Sequence, residues 1–79
     1  MSQTEMIKRG QIEEKKQQRA AAVIAAKAAL RSLGDSAVYT RNKPVEEINT
    51  AELTAHLEQL IAKQKEVKRI DEEIKELNY

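Results

Sequence analysis

His56 stands four residues after Glu52 and two before Glu58, and it is the only histidine in a chain without cysteine. On a helix, residues four apart lie one above the other, so the Glu52 carboxylate and the imidazole raise a carboxylate-bridged metal site as a first thought. Di-metal helical bundles use a Glu-x-x-His spacing, with further glutamates projecting inward from neighbouring helices. Here the spacing is one residue too long, and the first half of the chain offers only Glu5, Glu13 and Glu14, all far from His56 if the chain folds back on itself. His56 is therefore read as a solvated surface histidine, with a pH-sensitive interface residue as the alternative. No metal and no cofactor is expected.

Other catalytic arrangements fail on composition. One histidine and no cysteine leave no Ser/His/Asp or Cys/His set, and the two glycines, Gly10 and Gly34, stand alone, so no loop is built to cradle a phosphate. The chain is read as a non-enzyme. Lys8, Arg9, Lys15, Lys16 and Arg19 form the strongest charge cluster, and Lys8, Lys15 and Arg19 share a helical face that could follow a phosphate backbone. Glu5, Glu13 and Glu14 interleave with them, and Tyr39 and Tyr79 are the only aromatics for stacking on bases. Contact with nucleic acid through Lys8, Lys15, Lys16 and Arg19 is thus the secondary reading. A second patch, Arg41 and Lys43 close to Tyr39, suits docking of a protein, because tyrosine and arginine are enriched at interface hot spots.

The elements that would carry these residues are helices. Of 79 residues, 34% are charged and 3% aromatic, with two glycines and one proline, a composition of long helices or coiled coils rather than of an average globular domain. Ser2 and Glu5 form a capping box, and a first helix over about 3–33 ends at Gly34, whose tolerance of the left-handed conformation suits a helix terminus. A connector over 34–49 follows, with Asp35 and Ser36 as a turn, Val38-Tyr39-Thr40 extended, and Pro44 opening one short turn. Asn49 then caps a second helix over about 50–77, with Glu52 completing the box and Ile48 set to pack on Leu53.

In that second helix Leu53, Leu57, Leu60, Ile61, Val67, Ile70, Ile74 and Leu77 recur at threes and fours, with Gln64 the one polar residue on a narrow stripe of the coiled-coil kind. Residues 1–33 carry a net charge of +4 and residues 51–79 a net of −2, so the halves attract. A fold-back near residue 43 would set Ala26 against Leu60, Ala20 against Val67 and Leu30 against Leu57. The expected fold is all-α: an antiparallel two-helix hairpin, forming a single domain.

Ala20 to Leu33 is apolar nearly all round, which calls for more than one partner. The simplest answer is a homodimer of hairpins forming a four-helix bundle, with Val23, Ala26, Leu30 and Leu33 meeting Leu53, Leu57, Leu60, Ile61, Val67, Ile70 and Ile74. The longest apolar run, Ala20 to Ala26, is too short to span a membrane, and no secretion signal is apparent after Met1, so a cytoplasmic location is expected. The functional expectation is an assembly module that self-associates and presents its connector to a protein partner.

Overall fold

A computed structural model describes residues 3–78. It contains α1 (Gln3–Thr40), a single 3-10 turn (Val45–Glu47) and α2 (Thr50–Leu77), with no strand among the described residues. The Ser2 cap and Tyr79 lie outside the described residues. The two helices pack antiparallel, because cross-helix pairs descend on α2 as they ascend on α1: Lys15 with Glu73, Arg19 with Asp71 and Ser36 with Glu52. The result is a rod of 65 × 14 × 12 Å. Its radius of gyration of 18.4 Å compares with about 12 Å for a compact domain of this length.

Two expectations need correction, and one cause links them. α1 passes through Gly34, the residue expected to end it, and continues to Thr40. Gly34 has no positive φ and open space around it, so it is an ordinary helical residue and not a cap. What extends the helix is the second element: Ser36 and Thr40 lie on its inward side, Ser36 donates to Glu52 on α2 (3.4 Å), and Thr40 is buried. The Thr40 hydroxyl also donates to the carbonyls of Ser36 (2.9 Å) and Ala37 (3.2 Å), occupying acceptors that a helix end leaves exposed. Tertiary packing has overridden the local signal of one glycine, and the Val38-Tyr39-Thr40 segment is helical rather than extended.

The connector shrinks accordingly to residues 41–49. Arg41 N–H donates to Ala37 and Lys43 N–H to Thr40, after which Pro44 (φ −54°, ψ 144°) turns the chain and leads into the 3-10 turn. Asn49 caps α2 as its type and position suggested, its side chain accepting from the Glu52 N–H at 3.1 Å.

With α1 longer, the register moves. Lys15 with Glu73 and Ser36 with Glu52 have numbers adding to 88, and Arg19 with Asp71 to 90, against the expected 86. Inward residues on α2 are Leu53, His56, Leu60, Lys63, Val67, Ile70, Ile74 and Leu77, alternating by threes and fours without a break. On α1 the same alternation runs through Ile12, Lys15, Arg19, Ala22, Ala26, Ala29, Leu33, Ser36 and Thr40. That 3.5-residue period is the seam of a coiled coil. Alanines at 22, 26 and 29 set small residues against the larger chains of α2, which keeps the axes close. Ala20 and Leu30, expected in the contact, fall outside it and are exposed.

An alanine in place of Gly34 should stabilise the hairpin. Nothing lies within 4 Å of the added methyl, and its backbone is helical, so the gain should be about 0.5–1 kcal/mol. Thermal unfolding followed by circular dichroism would show a rise of roughly 3–8 °C. A fall would mean that Gly34 adopts the left-handed conformation after all.

Candidate interaction surface

A seam of eight positions on α2 buries little. Among the described residues, only Ala22, Ala29 and Ile70 are fully buried apolar residues, and Ile70, at 1% exposure, is the one large side chain of the three. Two seam positions are polar: His56 is half-buried and Lys63 likewise, with Lys63 Nζ 3.2 Å from Glu66 Oε2. Polar side chains at seam positions lower stability but disfavour other registers. His56 is thus not the solvated surface histidine expected; its Nε2 lies 3.9 Å from Glu52 Oε1, at the outer limit of an ion pair. Among the described residues no set of three His, Asp or Glu side chains converges on a point where a metal ion could sit.

His56 occupies the place that the spacing gave to Leu57, and Lys63 the place that it gave to Gln64. Leu57 and Ile61 are instead 44% and 40% exposed, each one residue past a seam position. Leu30, one residue past Ala29, is 53% exposed, and Ile24, two past Ala22, is 70% exposed. One step past a seam residue turns a helix by about 100°, and in antiparallel helices such positions from both partners fall on the same flank. Ile24, two past Ala22 and so turned by about 200°, points away from the hairpin, whereas Leu30, Leu57 and Ile61, with Val23 half-buried and one residue past Ala22, form one apolar flank. By the register they fall within about eight residues of one another along the rod, some 12 Å. The opposite flank differs: there Ala25, Ala28 and Ser32 of α1 face Gln59 and Ala62 of α2 across a shallow groove of small side chains.

Of the eleven residues expected to build an oligomer interface, Ala26, Leu33, Leu53, Leu60, Val67, Ile70 and Ile74 are used within the hairpin itself. Leu30, Leu57 and Ile61 are left outside, with Val23 at the edge.

The basic cluster of α1 is largely engaged by carboxylates. Lys15 pairs with Glu73, Arg19 Nε donates to Asp71 Oδ1 at 2.6 Å, and Lys16 Nζ lies 3.7 Å from Glu13 on its own helix. Lys8 is also engaged in an interaction. These pairs are exposed enough that each stabilises by roughly 0–1 kcal/mol, so they set register more than stability. The tip is arranged differently. Lys43 Nζ stands 4.5 Å over the Tyr39 ring, a cation–π contact, and Tyr39, Val38 and Val45 are all strongly exposed beside Arg41. Tyr39 thus belongs to the last turn of α1, while Arg41 and Lys43 belong to the connector.

Glu73 is held below its ordinary pKa by the hydrogen bond from Lys15 and by the nearby charges of Lys15 and Arg69, against a smaller opposing effect of desolvation. A lowered folded-state pKa stabilises the hairpin above the unfolded value, 4.5, and that stability is lost as pH falls through the folded one. Glu73→Gln should therefore be less stable than the wild type in urea at pH 7, and the difference should shrink as pH falls below 4.5 and through the lowered folded-state value. A difference that stays constant with pH would show that Glu73 acts without its charge. Helices of the described residues are not long and apolar enough to cross a membrane. No family model, curated protein or solved structure matches the chain.

Proposed function

We propose that the protein is a non-enzymatic assembly module whose helical hairpin associates with a second copy, the connector then being presented to a protein partner. The observation that carries this reading is the apolar flank of Leu30, Leu57 and Ile61, with Val23 at its edge, which the hairpin's own packing leaves open to solvent. Large side chains exposed side by side in a 9.0 kDa protein favour burial against another surface. Surface area agrees. The chain exposes 6332 Å², whereas a compact monomer of its mass exposes about 4,900 Å². Each copy therefore has a surplus of roughly 1,400 Å², more than the approximately 800 Å² that one partner gives to an interface of standard size. The exposed Val38, Tyr39 and Val45 at the tip, beside Arg41 and Lys43, supply the second, more polar surface.

The rival reading, contact with nucleic acid through Lys8, Lys15, Lys16 and Arg19, is weakened by the carboxylates that already engage Lys15, Lys16 and Arg19.

Two leucines three residues apart separate folding from association. Leu60 lies in the seam, so Leu60→Asp should cost about 2 kcal/mol or more and abolish helicity, taking association with it. Leu57 lies on the exposed flank, so Leu57→Asp should remain helical yet sediment as a monomer at concentrations where the wild type is a dimer. A wild-type protein that is monomeric and fully folded at micromolar concentration would refute the self-association reading.

A further inference from the structure

Resting on that self-association reading, we infer that the occupant of the apolar flank is a second hairpin aligned with its connector at the same end, α1 of each copy lying over α2 of the other. Two closed arrangements can bury the flank about a two-fold axis. With the axis along the rod, connectors share an end and α1 faces the partner's α2. With the axis across the rod, connectors lie at opposite ends and α1 faces the partner's α1. Both make every adjacent helix pair antiparallel, so packing of backbone alone does not choose between them.

Charge does. α1 carries seven basic and four acidic side chains, a net of +3, and α2 carries five basic and seven acidic, a net of −2. The same-end arrangement puts unlike helices face to face, twice. It is also favourable locally. The register sets Arg31 at the height of Glu58, and Lys16 at the height of Glu72, both on outward positions beside the flank. In the same-end dimer each of these cations stands over the other copy's carboxylate, outside an apolar centre that superposes on itself without any sliding.

The crossed arrangement meets the opposite condition. To bring the apolar patches together, its axis must pass near the height of residues 28 and 29, midway among Val23, Leu30, Leu57 and Ile61. Lys27 and Arg31 lie on either side of that height, so the four cations of two copies would gather around the axis where solvent is being excluded. Charges of one sign brought together at the edge of a desolvated patch oppose association, and that disfavours this arrangement.

The chain contains no cysteine, so one introduced thiol reports the arrangement cleanly. Asn42, in the connector and exposed, is the position to label. A nitroxide on Asn42→Cys, measured by double electron–electron resonance on the full chain alongside sedimentation equilibrium, should give one narrow distance below about 25 Å, the width of a four-helix bundle plus two labels. A sedimenting dimer with a distance near 40 Å, about 27 residues of rise, would overturn the same-end geometry while leaving self-association standing. A broad distribution with species larger than dimers would overturn the closed dimer. A monomer with no dipolar signal would remove the proposal together with the reading on which it rests. As a second readout, Arg31→Glu combined with Glu58→Arg should restore the dimer dissociation constant that either single change weakens several-fold; failure of the pair to recover would count against cross-copy contact at that height.

Discussion

The 3.5-residue seam between α1 and α2 decides the remainder of the architecture. It admits about two side chains per seven residues from each helix, and everything else must lie on a flank or face water. With 41% of the chain apolar, a seam that also holds Lys63, His56 and Lys15 cannot absorb all the large apolar side chains. Exposure of Leu30, Leu57 and Ile61 follows from the geometry of the contact and not from a shortage of packing partners in the sequence. Replacing Lys63 with leucine would deepen the seam, yet it would leave Ile61 where it is.

Local signals were legible where one residue type answers to one geometry. Asn49 capping α2, Pro44 opening a turn, the antiparallel fold-back and the stripe of α2 could all be read from type and spacing. Gly34 misled, since the modest cost of a glycine inside a helix is outweighed when the next two turns have something to pack against. Ser36 and Thr40 were that reason, and their signal was faint because both are small, polar and common in loops. The register error came from the same source. Seven more helical residues on α1 moved the bend toward Pro44, and with it every facing pair.

The surface was harder to read than the fold. In a stripe where threes and fours after Leu53 allow either His56 or Leu57, hydrophobicity favours the leucine, and after Leu60 they allow either Lys63 or Gln64, both polar. Strict alternation from Leu53 through Leu60, Val67, Ile70, Ile74 and Leu77 demands His56 and Lys63. Periodicity had to outweigh residue type at His56, and recognising that required the phase of the whole helix rather than any four residues in it. The basic cluster posed the converse difficulty: Lys15 and Arg19 share a face, but only the fold-back brings Glu73 and Asp71 to them.

The two flanks of the hairpin are unlike, one lined by alanine, serine and glutamine, the other by branched aliphatic chains. A surface that meets the rod along one flank therefore touches branched aliphatic chains, and along the other only small and polar ones. Under the proposed self-association, a second copy covering the aliphatic flank would leave the opposite flank with nothing apolar of any size to offer a third, while Val38, Tyr39 and Val45 stayed exposed at the tip. Such one-sidedness would act as a terminating device along the length of the rod.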